Sequence, residues 1–119
     1  MALMFSCQES FDKRLAREAK EQTERHCPKR IDDFTTLDSA VYSIPSRTYI
    51  RYFSVSPNTP EKIFASKDLL HRSLVEELRG DVSWNSCKEK GISFSYIYRE
   101  AVTGRTVYST VITKEEYSK

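Results

Sequence analysis

The side chains able to do chemistry are few, and their spacing limits what they can assemble. The cysteines are Cys7, Cys27 and Cys87, and the histidines are His26 and His71. No Cys-x-x-Cys pair occurs and the histidines stand alone, so no zinc ribbon or thioredoxin-type site is expected, and no metal. A nucleophile pair would need Cys27 or Cys87 beside His71, and no Gly-Ser elbow or similar motif supports one. His71 falls beside a leucine stripe, where a packed or rim histidine is expected rather than a ligand. Asp32-Asp33, Glu76-Glu77 and Glu115-Glu116 are adjacent carboxylates. Sequence neighbours point in different directions on a strand or helix, so these pairs read as solvated faces and not as an acid/base dyad. Three glycines in the whole chain leave no phosphate-cradling loop. No catalytic residue and no cofactor is legible here.

Two roles remain open for the thiols. In an oxidising compartment Cys27 and Cys87 are the pair to bridge. They would close a loop of about 60 residues and add roughly 4 kcal/mol in the chain-entropy model. In a reducing compartment they are free and partly buried, and the chain is cytoplasmic. Cys7 is the odd thiol.

The richest recognition chemistry is aromatic and basic. Tyr49, Arg51, Tyr52 and Phe53 share one stretch, and Tyr96, Tyr98 and Arg99 share another. Tyr and Arg dominate protein interfaces, and they also stack nucleic-acid bases. The same tyrosines would equally suit a core lining with hydroxyls at its edge. Nineteen basic residues against 17 acidic give a net charge of +2, too little for a dedicated nucleic-acid surface. A protein partner, or a second copy of the chain, is the expected ligand, and nucleic acid is not.

These residues must be positioned by elements that the sequence outlines. A chain of 119 residues with 12% aromatics is one domain's worth of protein and not a disordered one. No run of about 18 apolar residues exists, so no transmembrane segment is expected. Met1 to Cys7 is apolar but too short for a signal peptide's core. It reads as the stump of a trimmed export signal or as a few ordinary leading residues.

Residues 8–26 are rich in helix formers, with a thin stripe of Phe11, Leu15 and Ala19 beside Ala16. So narrow a stripe anchors weakly, predicting a helix that lies on the surface or pairs with another chain. Pro28 ends it. A first strand is predicted over 37–44, with Leu37 and Val41 inward, then a Pro45 turn and a second strand over 47–55. Thr59-Pro60 or Ser66 can start the second helix. Its stripe is Leu70, Leu74 and Leu78, widened by Val75, and Gly80 suits its end. Leu74→Ala is the substitution expected to destabilise most. Residues 81–90 read as a short helical turn.

The clearest signal follows. In residues 91–99, Ile92, Phe94, Tyr96 and Tyr98 alternate onto one face. Ala101 to Arg105 is a hairpin connection using Gly104, and 106–113 is rich in β-branched residues. Residues 114–119 read as a polar tail. The element order is α-β-β-α-β-β. The predicted fold is α+β: one antiparallel four-stranded sheet packed against a helix, with an N-terminal helix. The domains read as 1–26, tail and helix, and 27–119, a single α+β domain.

Cys27-Pro28, Ile31-Asp32 and Thr35-Thr36-Leu37-Asp38-Ser39 form one end of a pattern. Gly91, Phe94-Ser95-Tyr96-Ile97-Tyr98-Arg99 and the Gly104 turn form the other. Over residues 24–113 the chain resembles small exported bacterial α+β proteins of uncharacterised function, often lipoproteins. The resemblance implies a periplasmic or outer-surface location and transfers no catalytic residue. The function expected is a noncatalytic protein-interaction module. The alternative is a small ligand carrier or enzyme with a pocket between the helix over 66–79 and the sheet.

Overall fold

The computed structural model describes residues 9–118. Cys7, the odd thiol, and the segment read as a trimmed export signal lie outside them. The fold is α+β: one five-stranded mixed sheet, with helices packed on one of its faces.

Helix α1 spans Phe11–His26, and the Ser10 side chain caps it by accepting from the Lys13 N–H. Its narrow stripe is enough to bury Leu15 and Ala19 in the same core as the sheet residues Tyr42, Phe53 and Phe94. Thr23 adds a polar clamp: its Oγ1 accepts from the Ala40 N–H at 2.9 Å and lies 3.0 Å from the Ala40 carbonyl. Tyr42 donates to Asp12 at 2.7 Å. The helix expected to be weakly held is therefore fastened along a strand by both packing and hydrogen bonds.

The strands are β1 (Lys29–Arg30), β2 (Thr35–Ser43), β3 (Thr48–Val55), β4 (Ser93–Glu100) and β5 (Thr106–Ile112), in spatial order β1-β2-β3-β4-β5. Two features correct the predicted four-stranded antiparallel sheet. The dipeptide β1 pairs with β2 at the edge, Lys29 opposite Leu37. Two exposed charged residues carry no alternation, so no pattern could reveal them. The central pair β3·β4 is parallel, whereas β1·β2, β2·β3 and β4·β5 are antiparallel. The helical segment between Val55 and Ser93 supplies the crossover that returns the chain to where β3 began, as parallel strands require.

A bulge sets the face that β2 presents. Its register with β3 shifts between Leu37 and Ser39, which turns the following residues over. Ala40 and Tyr42 are buried as a result, and Val41, expected inside, is 48% exposed. On β4 the alternation holds: Phe94 and Tyr96 are buried and Tyr98 is half-buried, with Ile92 buried just ahead of the strand. Gly104, at φ 75°, closes the β4–β5 hairpin in the left-handed region that favours glycine.

Helix α2 spans Lys67–Gly80 and starts at the Ser66 cap, after a 3-10 turn over Glu61–Phe64. Val75 and Leu78 are buried, Leu74 partly so, and Leu70 lies at the margin. Gly80 stays helical and Asp81 follows as the cap. The Lys88 ammonium donates to the carbonyls of Leu78, Arg79 and Asp81 at 2.8–3.1 Å, satisfying acceptors that the helix end leaves open. Lys88 belongs to the short helix α3 (Asn85–Glu89), which follows a 3-10 turn over Val82–Trp84.

The predicted polar tail is helix α4 (Lys114–Tyr117), started by a Thr113/Glu116 capping box. Tyr117 is buried and donates to the Ile92 carbonyl at 2.8 Å. His71 on α2 joins these parts: its Nδ1 shares a 2.6 Å hydrogen bond with Thr110, and its Nε2 bonds the Glu116 carboxylate. That bond, foremost, holds the Glu116 carboxyl below its ordinary range. His71 is thus a rim residue that ties α2 to β5 and α4.

Candidate functional site

Alternation along β3 and β4 divides the aromatic and basic residues between the two faces of the sheet. Tyr49, Arg51 and Phe53 lie on the helix-covered face, opposite Phe94, Tyr96 and Tyr98 of β4. Tyr49, Phe53 and Tyr96 are core residues. Phe53 and Tyr98 stack with ring centroids 4.6 Å apart, and Phe64 flanks Tyr98 at 5.9 Å. Tyr52 and Arg99 lie on the opposite face, with the Arg99 guanidinium 4.5 Å from the Tyr52 ring centroid. The seven residues do not form one surface.

What the covered face builds is a cleft of about 1180 Å³. One wall is α1, from Phe11 and Arg14 through Glu18, Gln22 and His26 to Cys27. The other is the segment Asp81, Ser83, Trp84, Ser86 and Cys87, and the floor is Leu37, Ala40, Tyr49 and Arg51. The cleft exists because α1 packs on β2 while Trp84 packs edge-on against Tyr49, with centroids 4.8 Å apart. The strip of sheet between them is left open. The pocket expected between residues 66–79 and the sheet does not occupy that interface, where Val75 and Leu78 are core side chains.

Arg51 stands on the floor. Its guanidinium lies 5.3 Å from the Phe53 centroid and 5.9 Å from those of Trp84 and Tyr96. Rings hold such a cation through their negative faces. Among the described residues no carboxylate comes within 4.0 Å of it. Burial pushes the phenols of Tyr49 and Tyr96 above their ordinary range and that of Tyr98 up to about 12. All three are neutral at physiological pH.

Cys27 and Cys87 both line the cleft and both are free thiols, so the structure does not show the bridge that an oxidising compartment would favour. Burial raises each thiol's pKa, and the negative charge of Asp38 adds to the rise at Cys27. Neither is activated as a nucleophile. No group of three or more His, Cys, Asp or Glu side chains among the described residues could hold a metal ion.

The sequence reading missed the α1 wall and Trp84 as site residues. Trp84 is the chain's single tryptophan, set in a turn between two helices, and that was the one signal available. Nothing in the α1 sequence distinguishes a wall from a solvated face.

A family model described as Domain of unknown function (DUF8479) matches residues 10–108. No curated protein matches the sequence. The fold is shared with a Pseudomonas aeruginosa protein taken to be secreted, at TM-score 0.73 and 17% identity over 92% of this chain and 99% of that one. It is shared with the pilotin of the Vibrio vulnificus type 2 secretion system, at TM-score 0.67 and 11% identity over 89% of this chain and 90% of that one. A third likeness is to the type II secretion system pilotin of Vibrio cholerae, at TM-score 0.65 and 14% identity over 88% and 90% of the two chains. At such identities the likeness is one of fold.

Proposed function

The chain belongs to the family described as Domain of unknown function (DUF8479), and we propose that it is a noncatalytic module that holds a segment of a protein partner in the cleft beside α1. The observation that carries this reading is the cleft itself, whose floor bears Arg51, a cation with rings around it and no ion pair among the described residues, beside the charged wall of α1. Clefts of this kind bind through a few buried aromatic and Arg anchors with polar groups at the rim. Arg51, Tyr49 and Trp84 are the anchors here. Phe53 and Tyr96 flank Arg51 on the same face, and Tyr98 stacks on Phe53. Tyr52 and Arg99 lie on the other face and take no part.

The reading extends to location. Two proteins that share the fold are secretion-system pilotins and a third is taken to be secreted. That likeness supports a working place outside the cytoplasm and a partner in an export machinery. No described helix is long and apolar enough to cross a membrane.

The uncovered sheet face competes with the cleft for the partner, because Val41 and Val111 are each about half exposed there. Site-specific photo-crosslinking in the native host separates the two. A benzophenone side chain at Gln22 or at Ser86, both on the cleft, is expected to trap one and the same protein. The same group at Ser109, exposed on the other face of β5, is expected to trap none. Crosslinks from Ser109 alone, or none from either cleft position, would overturn the proposal.

A further inference from the structure

We propose that the segment bound in the cleft is acidic, with one of its carboxylates seated on the Arg51 guanidinium; this rests on the binding reading above and specifies its partner. Three observations converge on Arg51. It lies on the floor of the cleft, half-buried, with Phe53, Trp84 and Tyr96 around it. The rings surround the guanidinium, and no carboxylate among the described residues pairs with it, which leaves it able to take a planar carboxylate.

The cleft's own acids are largely engaged elsewhere. The Asp81 carboxylate accepts from the Ser83 N–H at 3.0 Å and the Ser83 hydroxyl at 2.6 Å. Glu21 pairs with Arg17 at 2.6 Å and with Arg25 at 3.7 Å, all three on the α1 wall. Glu18 makes no ion pair among the described residues, and the same holds for Arg14, Lys29 and Arg51. Across the lining, five Arg or Lys side chains face three carboxylates, so the cleft is short of negative charge.

A purely apolar segment laid over Arg51 would take its charge out of water with nothing to offset it. A segment that brings a carboxylate replaces the lost water with a charge-assisted pair. A nucleic acid fits less well. Glu18, Glu21 and Asp81 stand along the walls and would repel a run of phosphates, which needs a row of cations.

The test uses the full chain and the partner segment trapped from Ser86, made as a fluorescein-labelled synthetic peptide. A second peptide carries Asn or Gln in place of its Asp or Glu residues, with an amidated end. Removing the carboxylates, or substituting Arg51→Met, is each expected to weaken binding about 10-fold or more. The two changes together should weaken it no further than either alone, and Arg51→Lys should fall between. If Arg51→Met fails to fold, the neutral peptide on the unaltered protein and the Arg51→Lys variant still decide. Equal affinity of the two peptides, or fully additive losses, would overturn the carboxylate and leave the binding module standing. A crosslink that nuclease destroys, or none from either cleft position, would overturn both.

Discussion

Cys87 and Cys27 line one cleft but are buried to different degrees, and this sets their reactivity. A thiol reacts as its thiolate. Burial raises the pKa of both, so less thiolate is present at neutral pH than at an ordinary surface cysteine. Cys87 is 5% exposed and Cys27 is partly open. Pulsed iodoacetamide labelling read by mass spectrometry should therefore modify Cys27 first and Cys87 slowly, with both rates rising as the pH is taken from about 7 to about 9. Equal labelling of the two at neutral pH would contradict the burial described here. Failure of both to label until reductant is added would mean a bridge. Sequence alone could not choose between thiol and bridge, because pairing depends on how α1's end approaches α3. The aromatic and basic residues were legible as recognition chemistry. Their face was not, since both faces of β3 mix aromatic and polar side chains. Arg51 emerges as an anchor only once its neighbours from β4 and the Trp84 turn are in place.

Helix α2 shows how periodicity can find an element and still misjudge its phase. Counting leucines at intervals of four pointed to Leu74 as the most costly position. The helix buries two members of that stripe, Val75 and Leu78, with Leu78 2% exposed, and leaves Leu74 at the core's edge. Leu78→Ala should destabilise the protein by about 2–5 kcal/mol, and Leu74→Ala by less, as read from urea unfolding. A larger loss at Leu74 would mean the helix sits about a quarter turn from where it is described. The strand pairs and α2 were legible because their alternation and spacing are strong. The bulge after Leu37 was not, because one unpaired residue leaves no trace in composition. The short α4 did leave a signal, Thr113-x-x-Glu116, but its single turn carries too few apolar residues to stand out from a tail.

At the scale of the whole molecule, the described helices pack on one face of a five-stranded sheet, and a parallel pair joins its two halves. The opposite face carries Val41, Ile50, Ile97 and Val111 beside serines and threonines, with none of the described helices over it. Strand pairing order and the parallel centre could not be read from the sequence. Either pairing places the same residues inward, and only the path of the crossover decides between them. The molecule therefore offers two surfaces to a partner, a walled cleft and a flat face, and the proposed function depends on which one is used. Amide hydrogen exchange of the full chain, with and without the trapped partner segment, measures this most directly. Binding in the cleft predicts slowed exchange in the second half of α1 and in residues 81–87, with β5 unchanged. Protection confined to β5 and the exposed edge of β2, with α1 unaffected, would contradict it.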